Sequence, residues 1–92
     1  MVVGVVRLEL ALPWNGSLKE KRRVLKGLVD RLRHKFNVSV AEVGYQDAHQ
    51  RATLAAACVS SDRTNCDQVL QAVIRLADAS GALLLDHVVE FY

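Results

Sequence analysis

Apolar residues recur along this chain with two different periods, and the changes of period divide it into six elements. From residue 2 to residue 12 they alternate. Val2, Val6, Leu8, Leu10 and Leu12 form a continuously apolar side, whereas Val3, Val5, Arg7, Glu9 and Ala11 form a mixed one. This is the pattern of a strand whose even side faces the core and whose odd side is open or covered by a partner. Pro13, Asn15 and Gly16 break it. Over Ser17–Phe36 the spacing becomes helical: at 100° per residue Leu18, Leu25, Leu28, Val29, Leu32 and Phe36 share an arc of about 100°. Ser17 and Glu20 supply an S-x-x-E capping box, and Asn37 suits the left-handed position that ends a helix.

Two further strands follow, VSVAEVGYQ and RATLAAACVS, joined as a hairpin across Asp47-Ala48-His49. Ala52, Ala55, Ala56 and Ala57 in the second of them predict a bulky neighbour packed close, most simply the helices on one face. Asp62–Ser80 predicts a second helix, with Thr64 and Asp67 as its capping box and Gly81 as its C′ residue. Its buried face is Cys66, Val69, Leu70, Val73, Leu76 and Ala77. Leu83, Leu85, Val89 and Phe91 then alternate with Leu84, Asp86, Val88 and Glu90 in a last strand. Right-handed crossovers turn the order strand, helix, strand, strand, helix, strand into a ferredoxin-like βαββαβ α+β fold. A single domain over residues 1–92 has a four-stranded antiparallel sheet with both helices on one face.

Charge changes the picture at the first helix. Ser17–Phe36 holds eight of the twelve Lys and Arg residues and only two of the ten acids, so the rest of the chain is net acidic. A helix start carries partial positive charge and prefers Asp and Glu, yet Lys19, Lys21, Arg22 and Arg23 crowd this one. The second helix has Asp67 in its expected first turn, so a general basic bias does not explain the contrast. Free N–H groups beside these cations are a candidate phosphate or carboxylate site. Lys19, Lys21, Arg22, Arg23, Lys26 and Arg33 are therefore the candidate anion- or nucleic-acid-binding residues. The competing reading is a set of solvated side chains, with Asp30 neutralising part of the stripe.

Other function classes find little support. At 51% hydrophobic and 24% charged residues, the composition is that of an ordinary soluble domain. The apolar opening is interrupted by Arg7 and Glu9 and lacks a basic start, so it is not read as a signal peptide, and no run is long enough to span a bilayer. Cys58 and Cys66 lack C-x-x-C spacing and are read as small buried thiols in a reducing cytoplasm, with no cofactor or metal. His34, His49 and His87 fall in three elements without ligand spacing. No nucleophile, P-loop or dinucleotide motif occurs, and the protein is expected not to be an enzyme. An anionic small-molecule site near Trp14 and Ser17 is the remaining catalytic alternative and requires a concave pocket there. Trp14 itself is either a stacking surface for a base or a clasp over the edge of the core.

If nucleic acid is bound, phosphate contacts from the first helix should carry it, because the central strands offer no aromatic platform like that of an RNA-recognition motif. The open sheet face raises a different partner. Val3, Val5, Ala55, Ala57 and Val59 would expose an apolar patch that a homodimer through the sheet, or another protein, would cover, with Arg7, Glu9, Glu42 and Glu90 pairing across the seam.

Three runs, Ser17-Leu18-Lys19-Glu20-Lys21-Arg22-Arg23, Phe36-Asn37-Val38-Ser39-Val40-Ala41-Glu42-Val43, and Gln46-Asp47 with Gln50-Arg51, resemble the bacterial DUF503 family, also called YlxP-like. The resemblance spans essentially the whole chain. It implies a ferredoxin-like fold and a cytoplasmic protein of unknown function, with RNA or ribosome association suggested by the family's frequent gene neighbours. It brings no catalytic residues. The chain departs from the family pattern at Ala48-His49, where relatives commonly carry Leu-Trp, and at Gly16, where many carry His.

Overall fold

The computed structural model describes all 92 residues. The elements are β1 (Val2–Ala11), α1 (Leu18–Lys35), β2 (Ser39–Gly44), β3 (Arg51–Ser60), α2 (Arg63–Asp78) and β4 (Leu83–Phe91), the expected six in the expected order. The strands form one sheet in the order β2-β3-β1-β4 with every neighbouring pair antiparallel, the ferredoxin-like α+β arrangement. β1 and β3 are central and pair from Val2↔Ser60 to Ala11↔Arg51. Strand alternation then puts Val6, Leu8, Leu10 and Leu12 into one core with Leu25, Leu28 and Leu32 of α1 and Leu70, Val73 and Ala77 of α2. Each such leucine contributes about 1.5–3 kcal/mol by leaving water.

α2 lies over the central strands and comes so close at Gly4 that no side chain fits. A Cβ there would stand 2.5 Å from Cys66 Sγ and 2.8 Å from Leu70 Cδ1. Ala52 and Ala56 also face the helices, but Ala55 and Ala57 occupy the opposite face, so only half of the alanine run answers to helix packing. On α2, Ile74 is buried while Val69 and Leu76 are half-buried, a small rotation of the expected stripe.

The helix ends differ from expectation in four places. Ser17 caps α1, its hydroxyl accepting from the Glu20 amide at 3.1 Å, but the reciprocal half of the box is absent because the Glu20 carboxylate binds Arg23 instead. Asn37 is not left-handed: Phe36 forms an extended C-cap, and the one non-glycine residue with positive φ is Tyr45, at 58°. α2 is capped by Asp62 rather than Thr64. Its two carboxylate oxygens accept from the Thr64 and Asn65 amides, each at 3.3 Å, so the charge favoured by the dipole sits on the cap and Asp67 lies beyond the first turn. Gly81 is left-handed, φ 97°, but lies two residues past the Ala79 C-cap. The left-handed turn at Tyr45 also ends β2 early, so the hairpin connection runs over 45–50 rather than Asp47–His49 alone.

Candidate nucleic-acid interface

Lys21 overturns part of the sequence reading. It is not a surface cation: its side chain is 1% exposed, with Nζ 3.0 Å from Glu42 Oε2. The ammonium also donates to the carbonyls of Tyr45 at 2.6 Å and Ala48 at 2.8 Å. Burial of a lysine requires such partners, and a group enclosed in this way cannot meet an external phosphate. Glu42 is correspondingly misplaced in the expected sheet-face seam. It lies opposite the buried Leu54 and turns toward the helix layer.

Lys21 belongs to a wider set of bonds that joins the 12–17 loop, the start of α1 and the hairpin. Asn15 is buried and donates through Nδ2 to the carbonyls of Ser17 at 2.9 Å and His49 at 2.6 Å. Gln50 Nε2 donates to the carbonyls of Pro13 and Asn15 at 3.3 and 3.1 Å. These backbone groups leave the ladders at turns, and the amide side chains supply the partners that the turns do not. The sequence marks Asn15 only as a strand breaker and Gln50 only as part of a family run, not as hydrogen-bonding partners of the turns. The turn-forming habit of Asn next to Pro and Gly was the available signal.

The other candidates stay on the outside of α1. Arg23 pairs with Glu20, which holds that carboxyl below its usual range and raises the guanidinium, chiefly through the direct hydrogen bond. Lys26 pairs with Asp30 at 2.8 Å. Arg33 reaches sideways and donates to the Val40 carbonyl of the edge strand β2 at 2.7 Å, while its charge remains exposed. Lys19 and Arg22 are exposed and have no carboxylate within 4.0 Å, as is true of Arg31 and Lys35 further along the helix. The positive surface therefore extends along the exposed side of α1 and is not concentrated in its first two turns.

A shallow groove between the helices of about 840 Å³ is lined by Asp30, Arg31, His34, Lys35 and Leu76, and Arg75 borders the adjoining depression. Asp30 is already committed to Lys26, so the groove is cationic. Neither concavity includes Trp14 or Ser17, leaving the anionic small-molecule alternative without the pocket it requires. Trp14 is 57% exposed and does not clasp the core. Tyr45 is 51% exposed, and the Arg51 guanidinium lies 4.6 Å from its ring centroid.

On the open sheet face, Glu9 organises the polar groups. It accepts from Thr53 Oγ1 at 2.6 Å and has Arg7 and Arg51 each at 3.9 Å. On the same face Val88 is exposed opposite Arg7, and Val59 and Tyr92 are exposed on either side of Val3. Tyr92 donates to Glu90 at 2.8 Å, and that bond to a carboxylate pushes its phenol pKa up. His87 lies opposite Leu8 on the edge strand β4 and is exposed. Cys58 and Cys66 are free and buried, with Cys66 Sγ 3.6 Å from the Cys58 carbonyl. No helix is long and apolar enough to cross a membrane.

Comparison with known proteins finds a family model described as "Protein of unknown function (DUF503)" matching residues 3–88. The "Uncharacterized protein YlxP" of Bacillus subtilis (strain 168) is 44% identical over 78 residues, covering 85% of each chain. Two solved structures share the fold at low identity. The de novo designed protein Foldit4 has a TM-score of 0.54 at 13% identity, covering 99% of this chain and 94% of its own. SnoaB, a cofactor-independent oxygenase from Streptomyces nogalater, has a TM-score of 0.53 at 14% identity, covering 99% and 90%.

Proposed function

Starting from a chain that belongs to the DUF503 family, whose function is unknown, we propose a small, non-enzymatic, cytoplasmic module that binds RNA or ribonucleoprotein through phosphates along the exposed side of α1. One observation carries this reading. Both acids of α1 are already used by one cation each, Glu20 by Arg23 and Asp30 by Lys26, while Lys19, Arg22, Arg31 and Lys35 have no acidic partner. Like charges left uncompensated along one helix raise the local potential and attract polyanions.

The test is fluorescence anisotropy of labelled single-stranded RNA at rising salt. The wild-type affinity should fall steeply, and Lys19→Gln with Arg22→Gln should flatten the logarithmic slope by about 0.7 for each phosphate that is no longer neutralised. Salt-independent binding, or a slope unmoved by the double substitution, refutes the reading. Lys21 is excluded from this test because its ammonium is buried against Glu42 and the Tyr45 and Ala48 carbonyls.

A second reading is a homodimeric adaptor that uses the sheet face, supported by Val59, Val88 and Tyr92 standing exposed beside Val3 and Val5. Sedimentation equilibrium should then show a dimer that Val59→Asp dissociates. A monomer at high concentration removes this reading.

A further inference from the structure

Trp14 and Tyr45 are large aromatic side chains left in water by a domain whose other bulky apolar residues mostly have core partners. Both rise from one stitched platform. The residues on either side of Trp14 are held to the hairpin through Gln50, and Asn15 also binds the His49 carbonyl. Tyr45 is fixed from below, because its left-handed backbone aims its carbonyl at the buried Lys21 ammonium. A bulky residue in that conformation is disfavoured, so the surrounding bonds must hold it there. The consequence is two exposed rings on a hydrogen-bonded base, one of them already stacked with a guanidinium.

The charge at this end of the molecule selects the ligand. Arg51 lies beside Tyr45, and the first turns of α1, whose Lys21 holds the Tyr45 carbonyl, carry Lys19 and Arg22 on their exposed side. Nearby acids are mostly paired with cations: Glu20 with Arg23, Glu42 with Lys21, and Glu9 with Arg7 and Arg51. Asp47 at the hairpin tip is the exposed exception. We propose that this loop end binds unpaired RNA bases, with Trp14 and Tyr45 stacking on base faces while the unpaired cations Lys19 and Arg22 on the exposed side of α1 attract the strand's phosphates. This rests on the RNA reading above and adds to it a preference for single strands. Every base offers a π-face when unpaired, whereas a duplex keeps its bases stacked on one another.

Trp14 is the only tryptophan, so its emission reports directly on the site. Titration with a single-stranded oligouridine should quench it, and an RNA duplex of equal length should quench it far less. By anisotropy of the labelled strand, Trp14→Leu and Tyr45→Asn should each weaken single-strand binding about fivefold or more, with duplex affinity and salt slope unchanged. Asn tolerates positive φ, so Tyr45→Asn removes the ring while keeping the backbone conformation, and circular dichroism verifies that each variant is folded.

If single strands bind with a steep salt slope while Trp14 emission does not move and both variants bind like wild type, the stacking proposal is overturned and the phosphate reading stands. If no RNA binds at low salt, both fall. Self-association abolished by Trp14→Leu, without RNA quenching, would assign the ring to a second copy and also overturn the proposal.

Discussion

Replacing Lys21 by Met tests whether this signature lysine is structural. The substitution keeps much of the aliphatic volume and removes the ammonium that serves Glu42 and the Tyr45 and Ala48 carbonyls. Removing one partner of a buried ion pair costs about 3–5 kcal/mol because the other charge is left in a poor environment. The Glu42 side chain is 27% exposed, so water relieves part of that penalty. The two stranded carbonyls add about 1 kcal/mol each where water does not reach them. The expected loss is about 3–5 kcal/mol, a large share of the stability of a domain this size, and a fall in Tm of at least about 12 °C. Urea unfolding followed by circular dichroism measures it. Lys21→Met with Glu42→Leu should recover part of the loss, because no orphaned charge remains, whereas Lys19→Met should stay within about 0.5 kcal/mol of wild type. A Lys21→Met protein within about 1 kcal/mol of wild type, on the order of an ordinary surface substitution, would refute the argument, as would a double variant no more stable than the single one.

The remaining predictions concern the contact of α2 with the sheet. Gly4→Ala should lose about 1–3 kcal/mol by overpacking against Cys66 and Leu70, and Cys66→Ala in the same chain should restore part of it; a neutral Gly4→Ala in thermal unfolding would show that α2 moves freely away. Burial, then the neighbouring Cys66, pushes the Cys58 thiol above its ordinary 9.0, so the native state favours the protonated form. The stability this contributes is whole below about pH 9 and declines as pH rises further. Wild type should therefore lose stability relative to Cys58→Ala above about pH 9, and a pH-independent difference in urea midpoints would contradict this. At neutral pH both thiols should react with Ellman's reagent only as fast as the protein opens, and an immediate burst would show that one is accessible.

Most of the fold was legible because its signals are periodic. Strand alternation located β1 and β4, the 100° arc located α1, and the six-element order left few topologies. Capping was less legible because several polar residues compete at each helix end. Asp62 prevails over Thr64 by offering two acceptors and a charge, and Asn37 loses the left-handed position because the chain leaves Phe36 extended. The largest error, Lys21, was visible on the helical wheel. It projects about 20° from both Leu28 and Leu32, in the middle of the buried arc. Its residue type points to the surface, and the partners that draw it inside come from β2 and the hairpin, far away in sequence. Glu42 was misread for the same reason. Lys19 and Arg22 needed no such long-range information, since nothing from the rest of the chain reaches them.

The two borders of the sheet are protected unequally. β2 is shielded where the Arg33 guanidinium covers a backbone carbonyl, whereas β4 leaves its outer side unpaired along nine residues that include the exposed Leu83, Leu85 and Val88. Only Asp86, His87 and Glu90 interrupt its apolar runs, acting as gatekeepers against the addition of a foreign strand. Replacing them with apolar residues would leave the native fold nearly untouched and turn that border into a template for aggregation, so the polar side chains on β4 matter for solubility even though they do little for the stability of the isolated domain.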